Sequence, residues 1–247
     1  QSSSGKQGGG GALAVFAAEI SLDRVVITNC SAGSRGGGGI LLDEGTVAEL
    51  AGGCLLSNNS ASAEFGGNVR IAASRLNVYG EKNSSSAIWP SSKPLFPDSV
   101  NIGRLLPLRP TIMEFGMARS GGGIFCMASA FPDKGVHLGP GTVVSHSAAT
   151  SENQGEGGGA VSTILCDVKL DGASLVHNIA SSGAGGSGGG GAVFLGSGSV
   201  LEASQNSTLA NNHALGGSGG AVLCDACDSV SLSNGTRFEY NTALLDG

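Results

Sequence analysis

Short apolar runs recur along the chain, each three to five positions long, alternating with polar residues and bounded by Gly, Asn or Ser. Runs of this kind read as short, half-buried strands. No stretch carries the apolar stripe of a helix longer than about three turns. The runs return at a regular spacing. The last glycine of each cluster that precedes apolar residues falls at Gly11, Gly39, Gly67, Gly123, Gly159, Gly191 and Gly220, at intervals of 28, 28, 56, 36, 32 and 29. The interval of 56 reads as two units of 28 with one marker overwritten.

A second marker keeps step with the first: an apolar residue, two variable residues, Asn, one variable residue, then Ala. It passes through Asn29, Asn59, Asn178, Asn212 and Asn241, and His146 takes the Asn place in one further unit. Between the markers lies an alternating pair, Ile20/Leu22, Leu76/Val78, Val136/Leu138, Val168/Leu170 and Val230/Leu232. A unit of about 28 residues with three short strands cannot bury its own apolar side, but stacked units bury it continuously. The expected fold is therefore all-β, a right-handed single-stranded parallel β-helix solenoid of about 7–8 coils, running over residues 1–247 as one domain. Glycine serves the corners. The repeated Asn is expected to face inward as a ladder, each amide bonding the Asn one coil above.

One segment breaks the pattern. Residues 72–120 hold Pro90, Pro94, Pro97, Pro107 and Pro110, and the single tryptophan, Trp89. Proline is excluded from central strands, so a loop insertion is expected over residues 80–120. Trp89 is expected to pack that loop onto the flank of the helix.

The paired Gly-Gly-Ala-Val and apolar-x-x-Asn motifs, over residues 8–71 and 121–243, resemble the GGA[ILV] and FxxN repeats of polymorphic outer-membrane proteins, within the pectin-lyase-like β-helix superfamily. Phe238 is the one position with that family's phenylalanine; Leu or Val stands there in the other units. The resemblance implies a right-handed β-helix displayed at a cell surface, with an adhesive role.

Composition narrows the function classes. Glycine supplies 44 of 247 residues, yet hydrophobic residues reach 40%, and disordered chains lack apolar content to bury. Net charge is −6, with 13 Lys and Arg scattered singly, so no basic patch exists for nucleic acid. The longest apolar candidate, residues 12–20, carries Glu19 and falls well short of the roughly 18 residues of a transmembrane helix.

Six cysteines and the Asn-x-Ser/Thr triplets at Asn29, Asn58, Asn83, Asn206 and Asn234 point to an extracellular or cell-surface location. Sequential bridges Cys30–Cys54, Cys126–Cys166 and Cys224–Cys227 are expected, because neighbouring coils bring such positions within disulfide reach. Asn83, Asn206 and Asn234 are the expected glycan acceptors, whereas Asn29, as a ladder residue, is expected to be buried.

The superfamily includes polysaccharide lyases and hydrolases, and hydrolysis needs two converging carboxylates. Asp43/Glu44, Asp167/Asp171 and Asp225/Asp228 are the candidates, but none sits in the signatures of those enzymes, and solvated turns explain them more simply. His177 and His213 flank ladder positions and align on one face only if their registers agree; no further metal ligand is evident for them or for His137 and His146. The reading is a non-catalytic structural or adhesive surface protein with no cofactor or metal, and protein or glycan partners. The alternatives are a carbohydrate-active or carbohydrate-binding β-helix and a subunit of an extracellular filament. With markers close to both ends and no polar cap, the chain is expected to be part of something longer or to stack end to end.

Overall fold

A computed structural model describes residues 10–33, 36–80, 109–127, 135–151, 157–182 and 189–244. They form a parallel β-solenoid with no helix among them. Four sheets of seven strands each run along the stack, and every sheet takes one strand from each coil. One coil reads Val161–Ile164, Asp167–Asp171, Ser174–Val176 and Ile179–Ser182, and these strands join the first, second, third and fourth sheets in turn. Each coil therefore holds four strands, one more than the periodicity predicts. The extra strand is the short Asn-x-Ala stretch itself.

The seven coils make about six turns from the first to the last, slightly fewer than the 7–8 expected. The interval that read as two units is one coil: its first two strands are Val69–Ala72 and Arg75–Val78, and its last two are Thr111–Glu114 and Met117–Ser120. Residues 109–120 thus belong to the coil and not to the expected insertion. Thr111–Glu114 pairs with Thr142–Ser145 in unbroken register, and the exposed Pro110 lies just ahead of the ladder it could not enter. Trp89, Pro90, Pro94, Pro97 and Pro107 lie outside the described residues.

Alternation along the strands builds the core. The second sheet sends Leu76/Val78, Val136/Leu138 and Val168/Leu170 inward, all buried. The third sheet contributes Ile27, Leu56, Met113, Val144, Leu175 and Leu209 in one column. The fourth sheet contributes an unbroken alanine column: Ala32, Ala61, Ala118, Ala149, Ala180, Ala214 and Ala243.

The alanines fix the register of the Asn marker. Two residues before each stands Cys30, Asn59, Gly116, Ser147, Asn178, Asn212 or Asn241. Asn29 and His146 are thus one residue out of the ladder. Both sit in the preceding corner column, in the left-handed region, with φ of 55° and 50°. That conformation turns them outward, and both are exposed.

The ladder that remains is fully bonded. Asn178 Nδ2 donates to Asn212 Oδ1 (3.0 Å) and to the Val144 carbonyl (3.1 Å). Asn212 Nδ2 donates to Asn241 Oδ1 (2.9 Å) and to the Leu175 carbonyl (3.0 Å). Each Oδ1 also accepts the backbone N–H of the ladder residue one coil earlier, as Asn178 Oδ1 does from Ser147 (3.1 Å). At Gly116, which has no side chain, Asn68 reaches in from the first-sheet corner. Asn59 Nδ2 donates to Asn68 Oδ1 (2.9 Å), and Asn68 Nδ2 to the Glu114 carbonyl (3.3 Å). Asn68 fills the space a residue-116 side chain would take, 2.7 Å from a Cβ placed there.

A buried polar atom that loses its partner costs about 1–3 kcal/mol. Asn178→Ala, Asn212→Ala and Asn68→Ala should each lower unfolding stability by that amount in denaturant melts, while Asn29→Ala stays within about 0.5 kcal/mol of wild type. Equal losses at Asn29 and Asn212 would contradict the register.

Candidate functional site

Outward positions of the second sheet gather ionisable side chains around a cavity. Strand pairing sets them in columns: Arg75, Gly135, Asp167 and Val200 in one, Asn77, His137, Lys169 and Glu202 in the next. Coils stack about 4.8 Å apart, so each column repeats at that step. Arg75, Tyr79, His137, Asp167, Lys169 and Glu202 line an open depression of about 500 Å³. Gly135 leaves its floor without a side chain.

Tyr79 holds the imidazole of His137: its hydroxyl lies 3.2 Å from Nδ1, and the rings meet edge to face at 5.4 Å. His137 Nε2 and Asn77 Oδ1 are buried without a hydrogen-bond partner. Burial holds the His137 pKa below the ordinary imidazole value, helped by the positive charges of Lys169 and Arg75 and opposed by Asp171. Partial loss of solvent raises the Asp167 carboxyl above the usual range; the Val200 N–H opposes this, and the negative charges of Glu202 and Asp228 reinforce it.

Of the carboxylate pairs expected from sequence, Asp167 and Asp171 both reach this face, but the acidic neighbour of Asp167 is Glu202 of the next coil. Asp43 and Glu44 lie at a first-sheet corner, where the Glu44 N–H donates to Asp43 Oδ1 (2.7 Å). Asp225 follows the last first-sheet strand. The six residues of the depression were recoverable in part, because the pairs Leu76/Val78, Val136/Leu138 and Val168/Leu170 align Arg75 with Asp167 and His137 with Lys169. Charge spacing alone does not show it.

The other histidines lie elsewhere. His146 stacks between Phe115 and His177 on the third-to-fourth corner, with both centroid distances 5.1 Å. His213 sits two columns further on, beyond the ladder and paired with Ile179, so it does not align with His177. Its Nδ1 meets Thr242 Oγ1 at 2.6 Å. Among the described residues no three His, Cys, Asp or Glu side chains converge to hold a metal ion, and no helix is long and apolar enough to cross a membrane.

Two cysteine pairs stand at disulfide distance: Cys126 with Cys166, Cα–Cα 6.0 Å, and Cys224 with Cys227, 5.4 Å. The expected Cys30–Cys54 bridge is not formed. Cys54 is buried at the second-to-third corner, its thiol against the carbonyls of Leu22 and Ala51 at 3.3 and 3.2 Å. Cys30 occupies the ladder place one corner further round, its thiol 3.3 Å from the Thr28 carbonyl. Consecutive coils do not suffice for a bridge when the residues sit on different corners.

Asn206 and Asn234 are exposed at one corner of adjacent coils, with φ of 62° and 47°. Asn83 lies outside the described residues. Asn29 and Asn58 share the geometry of the exposed pair. Compared with known proteins, the chain matches no family, no curated protein and no solved structure. The parallel β-solenoid stands on its own geometry.

Expressed through a glycosylating secretory pathway, Asn29 should carry glycan alongside Asn206 and Asn234. Site-specific mass spectrometry that finds Asn29 bare and the other two occupied would contradict its exposure. A second expectation concerns Asp167. A carboxyl whose folded pKa is raised opposes folding once the unfolded chain ionises, so its cost is present above the ordinary value of about 4 and vanishes below it. Asp167→Asn should raise Tm at pH 7 and lose that advantage below about pH 4; a lower Tm at pH 7 would contradict the assignment.

Proposed function

We propose that this chain is a non-catalytic adhesive β-solenoid of a cell surface or extracellular structure, and that the second sheet binds a linear glycan. The depression around His137 supports this reading most directly. Its hydrogen-bonding groups stand on paired strands, so they are held in place before a ligand arrives, which reduces the ordering cost of binding. Repeating columns suit a repeating polymer laid across the coils. Tyr79 and His137 add ring edges and polar tips, the combination common at recognition surfaces. The paired cysteines fit an oxidising compartment, and the motif resemblance to surface-displayed repeats agrees with it.

Polysaccharide cleavage is the second reading, favoured by one observation: a carboxyl with raised pKa, Asp167, beside another acid, Glu202. Glycoside hydrolysis uses two carboxyl groups, one of them with a raised pKa. A panel of purified polysaccharides separates the two. Adhesion predicts retained binding with no new reducing ends or unsaturated products after prolonged incubation. Product formation abolished by Asp167→Asn would establish the enzyme instead. If no polysaccharide binds and none is cleaved, glycan recognition by this sheet is wrong.

A further inference from the structure

The charges around the depression are separated in an ordered way. Arg75 and Asp167 belong to one column with Gly135 between them. Two coil steps place their backbones about 10 Å apart. No ion pair joins Arg75 to Asp167, or Lys169 to Glu202, and the charges face the cavity instead of neutralising each other. Beyond Asp167 the acidic character continues, since Glu202 lies on the next coil and Asp228 also acts on the same carboxyl. The depression therefore has a lone cation at Arg75 on one side, and on the other Asp167 and Glu202 flank Lys169 and leave that end net acidic. Gly135 offers no side chain to obstruct a ligand spanning them, and a Cβ there would fall 3.5 Å from that of Asp167.

We propose that the depression selects an amphoteric glycan segment, with an acidic group seated at Arg75 and a free amine seated at Asp167 and Glu202. This rests on the glycan-binding reading above and goes one step further, to the charge pattern of the sugar. A neutral glycan would leave both ends uncompensated, and a purely acidic one would meet Asp167 and Glu202 with like charge. A ligand carrying both signs satisfies each end. Burial raises the Asp167 pKa, Glu202 and Asp228 add to the rise, and a bound amine would act in the opposite direction. The His137 ring, held at Nδ1 by Tyr79 and with its pKa lowered by burial, stands between the two ends.

The test is calorimetric titration of the whole chain with three forms of one oligosaccharide of alternating glucosamine and glucuronate: amine free, amine acetylated, and amine free with the carboxyl reduced to an alcohol. The free amphoteric form should bind at least tenfold more tightly than either other form. Asp167→Asn should erase the preference for the free amine and keep that for the carboxylate, and Arg75→Gln should do the reverse. Both side chains lie on the outer face, and a melt of each variant verifies folding; the three-ligand comparison on the unmodified chain stands whatever the variants do. Equal binding of acetylated and free forms would overturn the charge assignment while leaving glycan binding intact. Failure of all three forms, with neutral polysaccharides still bound, would also overturn it. Failure of every saccharide would remove both this inference and the reading beneath it.

Discussion

The solenoid depends on a contact between two pieces of backbone. In every coil a glycine of the first-sheet corner lies against the residue between the ladder position and the alanine of the fourth sheet. A Cβ on Gly122 would fall 2.5 Å from backbone atoms of Ala148, and one on Gly191 would fall 2.7 Å from the backbone nitrogen of His213. Chain meets chain there with no room for a side chain, which is the use of glycine where backbones crowd. The same glycines stack on one another through the coils, so the column Gly11, Gly38, Gly67, Gly122, Gly159, Gly191 and Gly220 is unbroken. The glycine and Asn-x-Ala markers keep step along the sequence because they touch in the fold.

That tight corner explains the ladder beside it. Where the chain turns from the third sheet to the fourth, backbone groups point into a space too narrow for another strand, and buried N–H and C=O groups must find partners. An Asn amide offers a donor and an acceptor on a short stem, and it serves the coil before and the coil after at once. Cys30 and Ser147 show that the place tolerates other small residues near the ends of an Asn run. Gly116 is the informative exception, because Asn68 arrives from a different corner to supply the missing amide. The constraint is on the bonds and not on the position that provides them.

This distinction marks how far the sequence could be read. The fold class, the strand pairs of the second sheet and the inward Asn59, Asn178, Asn212 and Asn241 were all legible, because apolar alternation and repeat spacing express burial directly. The register of the first coil was not, because Asn29 satisfies the Asn pattern in a corner that favours Asn for a different reason, its ease in the left-handed region. The alanine two places beyond the ladder is the better marker: it faces a tight space, never varies in seven coils, and has no second corner to imitate. The 56-residue interval was misread for a related reason. A spacing of 56 is compatible with two coils or with one coil and an inserted segment, and only the return to the third sheet at Thr111 decides between them.

The outer face obeys different rules. Inward positions are restricted in every coil by the volume they must fill, whereas outward positions of the second sheet meet solvent and are free to vary, so any order among them reflects something other than packing. Column by column the solenoid turns distant residues into neighbours at a fixed step, so Arg75 and Asp167, separated by most of the pattern-breaking segment, face one cavity. A scaffold needing only folding stability would gain by replacing Asp167 with a neutral residue, since its carboxyl is less comfortable in the folded chain than outside it. Positions that oppose folding in this way are where stability and function pull apart. The same strand Asp167–Asp171 that anchors Val168 and Leu170 in the core thus carries on its other side the residue least explained by the core, so the two faces of one strand answer to different constraints.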